Sequence, residues 1–335
     1  KTDLTWNGHI PNAELPTSHD GTQRVGVTDL ENLCRCPYRF YANCHAQWHA
    51  LQPLGSADQM SGLDWGSLVH EFLELLIRPT LDQQVSVEDT ARTLLDSDAR
   101  GLKEAAQDFA RDLPGTLAVL PELFQKVAVG KLVTTVTDYF QQILAKICQG
   151  SFPIAVELKR RVPFPGLDLL ISGKIDRIDE KDGVYYIYDY KSSGSSSPTQ
   201  LQKDMLLGYR IQPILYPLIF DQEPGGPHPS AFSFIFLGAS PPVETTLDHS
   251  SVEVNRFLKP LGEILQEGLY LPLSRETLEL HQVQEVNPCQ FCDYISLCRR
   301  FDPGAPGRYF KFSQERLSSR IDAIQSVTRK EGAET

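Results

Sequence analysis

The stretch Leu167–Ser193 (LDLLISGKIDRIDEKDGVYYIYDYKSS) constrains the fold of this chain more than any other, because two β-rich runs meet in it at Asp182-Gly183. Asp-Gly between such runs is the strongest short-range signal for a two-residue type I′ hairpin. With those residues as the loop, Lys181 pairs with Val184, and carrying the register back sets Asp176 opposite Asp189. Opposed residues on an antiparallel pair share a face, with Cβ atoms about 5 Å apart, and like charges so placed destabilise the sheet. A hard divalent cation between the carboxylates removes that repulsion, since such ions take oxygen ligands and reverse the local sign of charge. The period of two then brings Lys191 to the face of Asp189. A solvated hairpin whose acids point to water satisfies the same spacing, so the rest of the chain has to decide.

The chain has 335 residues and is 41% hydrophobic, enough for a packed core in one large domain or two. No apolar run approaches the roughly 20 residues needed to span a bilayer. The opening KTDLTWNGHI lacks the apolar region of a signal peptide, so a cytoplasmic protein without membrane contacts is expected. The absence of an initial Met is expected of a fragment cut from a longer protein, or of a processed or trimmed one.

A net charge of −11 excludes a protein that coats DNA generally, because Lys and Arg at phosphates supply most non-specific binding. It leaves room for a local basic groove, or one lent by a partner subunit. A compact chain of this length has a radius of gyration of about 20 Å. The Debye length is about 10 Å at 0.1 M salt, so acid on a far face is screened.

Along the chain, about 25 loop-like residues precede Val27–Leu51, which contains CRCPYRFYANC. Thr28 is the expected N-cap of a short helix there. After a linker at Leu54–Gly62, Asp64–Ile77 is apolar almost all round and reads as a buried helix carrying His70. Residues 80–150 read as a helical insertion within a single domain spanning 1–335, with breaks at Pro114-Gly115 and Pro121. Pro153–Pro163 is an expected strand carrying Glu157, read as either a supporting or an exposed residue.

Beyond the hairpin, helices are expected at Thr199–Leu207 and Gln212–Asp221, a central strand at Ala231–Leu237, and an amphipathic helix at Ser250–Gly268. Gln212 and Tyr216, four apart, project from one helical face. Residues 285–301 are cysteine-rich, and a C-terminal helix is expected at Ser313–Lys330 within the 302–335 tail.

Cys289, Cys292 and Cys298 are too close together for a secreted disulfide framework and have the spacing of metal ligands. A fourth thiolate is required. Cys36 is the preferred candidate because Cys-Pro makes a stiff turn; Cys34 is second, with Cys44 and Cys148 behind, and Cys148 reads better as a small core residue. Four cysteines fit tetrahedral zinc or an iron-sulfur cluster equally well. Closing Cys36 onto Cys289 restricts the unfolded chain by about 5 kcal/mol on the (3/2)RT ln n rule, so such a cluster staples the two ends of the domain together.

Taken together, His70 in GSLVHEFLE, Asp176 in GKIDRID, Asp189-Tyr190-Lys191 as D-x-K, and Gln212 to Tyr216 as Q-x3-Y resemble the RecB-like branch of the PD-(D/E)XK nucleases. With the cysteines, the pattern resembles the iron-sulfur nuclease domain of AddB-type helicase-nuclease subunits, a staple that CRISPR adaptation nucleases share. The resemblance implies an α/β fold, a mixed central sheet flanked by helices in a restriction-endonuclease-like core.

It also implies Mg2+ or Mn2+ on His70, Asp176, Asp189 and the Tyr190 carbonyl, with Lys191 orienting or activating water. Gln212 and Tyr216 would place the lysine or the DNA backbone. A 4Fe-4S cluster is implied at Cys36, Cys289, Cys292 and Cys298, in preference to zinc. The expected function is a metal-dependent deoxyribonuclease, exonuclease rather than endonuclease, acting on single-stranded DNA in repair beside a helicase domain or partner subunit. The sequence departs from an ATP-driven motor in lacking any G-x4-G-K-[ST]. A non-catalytic iron-sulfur DNA-binding scaffold and a stand-alone CRISPR-adaptation-like nuclease are the alternatives.

Overall fold

The period-two runs in the middle of the chain are satisfied by one mixed sheet of six strands, with apolar layers of helices on both faces. The structure is a computed structural model, and it describes residues 10, 22–48, 62–82, 86–95, 99–112, 122–192, 196–221, 229–248, 253–273, 288–289, 292–298 and 307–326. The strands are β1 (Arg24–Gly26), β2 (Phe152–Pro163), β3 (Leu170–Lys181), β4 (Val184–Lys191), β5 (Pro229–Phe236) and β6 (Val243–Leu247).

The hairpin forms as its turn residues dictate. Asp182 and Gly183 have φ of 53° and 78°, both positive as a type I′ turn demands, and the ladder runs from Lys181↔Val184 to Arg177↔Tyr188. Strand β3 is the hub. One of its edges pairs with β2 along nearly its whole length. Its other edge is shared: β4 takes residues 177–181, and β1 takes Leu170–Ser172 in parallel. Among the described residues, positions 173–176 have no ladder partner on that edge, so the sheet forks there.

The main core lies between one face of the sheet and α1 (Val27–Arg35), followed along the chain by α2 (Pro37–Cys44). Three later helices, α8 (Gln212–Phe220), α9 (Val254–Glu267) and α10 (Gly307–Ser326), complete that layer, with α7 (Pro198–Leu206) between β4 and α8. Ile171, Ile178, Ile187 and Phe232 from the strands meet Leu30, Leu215 and Leu261 from the helices. Full burial of each such side chain stabilises by about 1.5–3 kcal/mol relative to exposure.

A second core on the other face joins α3 (Gly62–Asp82), α4 (Val87–Leu94), α5 (Arg100–Asp112) and α6 (Glu122–Ile147) to Val156, Tyr188 and Ile235. The expected helical insertion is therefore a layer of the fold packed on the sheet. It carries a buried polar knot: Arg177, fully buried, holds Asp179 through two contacts at 2.8 and 3.1 Å and donates to the Tyr139 hydroxyl. Its guanidinium lies 4.4 Å from the centre of the Tyr188 ring.

Several expectations are corrected. The first helix begins at Val27 with Gly26 as N-cap, because Asp29 accepts the Gly26 N–H at 3.0 Å; Thr28 lies inside the helix. The His70 helix continues to Asp82, with Pro79 in its last turn. Cys148 is exposed, not a core residue. The C-terminal helix begins at Gly307, and β1 and β6 add to the expected strands. The expected breaks at Pro114-Gly115 and Pro121 and nearly all of the Leu54–Gly62 linker lie outside the described residues.

Candidate functional site

The fork is where the acids collect. One residue beyond the last β3–β4 pair, the Asp176 carboxylate accepts the Tyr190 N–H at 2.7 Å. A side chain thus takes the place of a ladder bond where β4 diverges from β3. Asp189 lies beside it with Oδ2 2.5 Å from Lys191 Nζ, so the lysine shares the face of the acid as the strand period requires. Both carboxylates are buried, at 5% and 4% exposure. Burial raises the Asp189 pKa to about 6; Lys191 opposes the rise and the Asp176 charge adds to it.

His70 approaches from α3. Its Nδ1 is 3.5 Å from Asp176 and 3.7 Å from Glu157, and its Nε2 is 3.2 Å from the Tyr190 carbonyl oxygen. Burial alone would lower its pKa, but the hydrogen bonds to Asp176 and Glu157 and the charges of Asp176 and Asp189 outweigh burial and raise it to about 10. The carboxylates round His70 thus favour positive charge at this point.

Glu157 is the residue that sequence reasoning left unassigned. The pairs on either side of it, Val156↔Arg177 and Leu158↔Ile175, place it opposite Asp176 across β2 and β3. Its φ is 49°, a left-handed conformation that costs a non-glycine residue about 1–3 kcal/mol and collects at functional sites. It is buried and ion-paired with Lys174. His70, Glu157 and Asp176 each offer a ligand atom within 4.8 Å of the others.

From the other side comes α8. Gln212 is its first residue, buried, with Oε1 lacking a hydrogen-bond partner among the described residues. Tyr216 is buried, and its phenol is held well above the ordinary range, first by burial and then by the charges of Asp189 and Asp176. Gly173 permits this approach: a Cβ there would stand 2.7 Å from Ile219 Cδ1 and 3.3 Å from Tyr216 Cε1. A groove of about 950 Å3 takes in His70, Asp176, Asp189, Lys191, Gln212 and Tyr216, so every residue proposed for the chemistry lines one cavity.

Residues 24–299 match the family model of the PD-(D/E)XK nuclease superfamily. The chain belongs to this superfamily. It is also similar to a subunit of the ATP-dependent helicase/deoxyribonuclease of Alkaliphilus oremlandii (strain OhILAs), with 23% identity over 272 residues. That overlap covers 73% of this chain and 22% of the relative, so the chain spans about a fifth of the relative's length. Among the described residues, no helix of this PD-(D/E)XK chain is long and apolar enough to cross a membrane.

The cysteines separate by environment. Cys34 is 3% exposed in the main core, with its Sγ directed at Gly208. Cys36 caps α2, and burial raises its thiol to about 11, with Cys292 adding a small further rise. The Tyr38 phenol is raised to about 12 by burial and then by Cys298, with smaller effects from Cys36 and Cys292. Cys36, Cys44 and Cys289 all pack, partly buried, on the main core.

The segment is docked by the Tyr294 hydroxyl, 2.5 Å from Asn43 Oδ1 and 2.6 Å from the Trp48 carbonyl oxygen. The two ends of the domain do meet. Among the described residues, no cysteine belongs to a group as tight as that at His70.

Proposed function

We propose that this chain hydrolyses DNA phosphodiester bonds with Mg2+ or Mn2+. The observation that carries the reading is the convergence, in one groove, of buried Asp176 and Asp189 with His70, Tyr190 and Lys191, with buried Glu157 set against His70 and Asp176 behind them. An oxygen-rich set with one imidazole suits a hard divalent ion. His70, Asp176, Asp189 and the Tyr190 carbonyl would hold it, with Glu157 as a further ligand or as the support of His70. Such an ion lowers the pKa of bound water and clamps the oxygens of an in-line displacement.

The protein's own groups do the rest. Lys191, anchored by Asp189, presents positive charge where the phosphorane gains negative charge. Gln212, whose buried amide oxygen has no hydrogen-bond partner among the described residues, and Tyr216 form the groove wall beside it.

The similarity to a subunit of an ATP-dependent helicase/deoxyribonuclease supports DNA as the substrate and a motor in another domain or subunit. Action on single-stranded DNA in repair, exonucleolytic rather than endonucleolytic, is part of the proposal. One test uses strands labelled at the 5′ or the 3′ end, incubated with and without Mg2+. Shortened products only with Mg2+ are expected, and their lengths report direction. DNA that is shifted in a gel and never shortened marks a binding scaffold and overturns the reading.

For the cysteines we propose a 4Fe-4S cluster on Cys36, Cys289, Cys292 and Cys298, with zinc as the other occupant that the thiolates fit. The burial of Cys34 in the main core, against the partial burial of Cys36, Cys289, Cys292 and Cys298, supports this set over one that uses Cys34. Purified protein is expected to be brown with broad visible absorption. A colourless preparation that contains stoichiometric zinc refutes the cluster.

A further inference from the structure

The register that sets two carboxylates against each other at the fork also sets two cations against each other beside it. Lys159 on β2 is directly opposite Lys174 on β3, two positions from Glu157 and Asp176. Like charges so opposed destabilise a sheet. Lys174 is compensated by its ion pair with Glu157. Among the described residues, no ion pair compensates Lys159, Arg160 on the same strand, or Arg24 on β1.

These three are exposed and line the same groove as Asp176. Arg161 stands next in line opposite Ser172, which also pairs with Gly26 of β1. The groove is lined by six Lys or Arg against three Asp, in a chain whose net charge is −11. The segregation is local, and three of the six basic residues are consecutive on β2.

We infer that Arg24, Lys159 and Arg160 form a track for the phosphates of a single nucleic-acid strand leading away from the fork. At about 3.3 Å per residue, the steps from Asp176 to Ser172 on β3 cover about 13 Å, room for more than one backbone phosphate. Exposed cationic side chains with no ion-pair partner among the described residues are held ready for an anion, and contacts of this kind are blind to base identity. The track grips the strand beyond the scissile bond, which keeps a product end from leaving between cuts. This inference rests on the nuclease reading for its substrate, and its test does not depend on cleavage.

The test is a salt series of binding between the chain and a fluorescently labelled oligodeoxythymidylate, read by anisotropy in EDTA so that no cutting occurs. For single strands the logarithmic slope of affinity against salt is about −0.7 per phosphate neutralised, so the double substitution Lys159→Ser, Arg160→Ser is expected to flatten the slope by about 1.4. The charge-keeping pair Lys159→Arg, Arg160→Lys is expected to retain it. A correctly melting serine variant with an unchanged slope, or an equal loss in the charge-keeping pair, overturns the track. A flattened slope in a protein that never cleaves DNA leaves the track standing and removes the nuclease reading instead.

Discussion

Replacing Lys191 by alanine is expected to lower kcat/KM for Mg2+-dependent DNA cleavage by at least 100-fold, since loss of one positioned donor at a developing oxyanion costs about 3 kcal/mol. Replacing Asp189 by asparagine is expected to lower it further, because a ligand oxygen loses its charge and the lysine loses its anchor. The stability of the metal-free protein should move the other way for Asp189→Asn. Burial raises the folded-state pKa of Asp189 to about 6, above the ordinary carboxylate value of about 4. A raised carboxyl pKa means that stability is lost as pH rises from about 4 through 6, and stays lost above that.

The wild type therefore carries the cost of a buried anion at neutral pH, and the asparagine variant does not. A melting temperature at or above wild type with cleavage abolished is the expected pair of results, measured by thermal scans in EDTA and by the labelled-strand assay. Retained cleavage in either variant refutes the assignment. A collapsed fold in Asp189→Asn refutes the electrostatic account.

Arg177→Met is expected to destabilise the protein by about 3–5 kcal/mol, the usual cost of removing one partner from a fully buried ion pair. The substitution leaves Asp179, 1% exposed, without the guanidinium that lies 2.8 Å from it, and removes the donor to Tyr139. Protonation of Asp179, whose pKa burial already raises, will blunt part of the loss. The double variant Arg177→Met, Asp179→Leu is expected to recover most of it, since paired apolar replacement of a buried ion pair is often near neutral. Chemical denaturation of the four proteins of this cycle measures the coupling. Additive losses would show that the pair does not act as a unit.

The site was legible where its geometry follows from local chain rules. A two-residue turn fixes the register of β3 on β4 as far as Arg177↔Tyr188. The expected pair Asp176–Asp189 lies one step beyond the ladder, where β4 diverges and Asp176 accepts the Tyr190 N–H instead, while Asp176, Asp189 and Lys191 still line one groove. Glu157 was not legible for the complementary reason. Strands β2 and β3 are joined through residues 164–169, a longer connection whose length fixes no register, so the opposition of Glu157 and Asp176 emerges only in three dimensions.

The same reasoning explains β1. Three residues, RVG, carry no periodic signal, and their strand identity comes entirely from pairing with Leu170–Ser172. The His70 helix runs past its expected end at Ile77, through Pro79, to Asp82. Cys148 shows the limit of composition: a cysteine just past the end of a long helix carries no mark of which side it takes, and it is exposed.

The claim on which the account depends is that the crowded carboxylates at the fork hold a divalent cation. Calorimetric titration of the metal-free chain with Mn2+, beside Asp176→Ala, tests it most directly. The account predicts saturable binding to the wild type that is absent in the variant, with a rise in melting temperature that follows RT ln(1 + [L]/Kd). No saturable binding by the wild type, or equal binding by the variant, would contradict it.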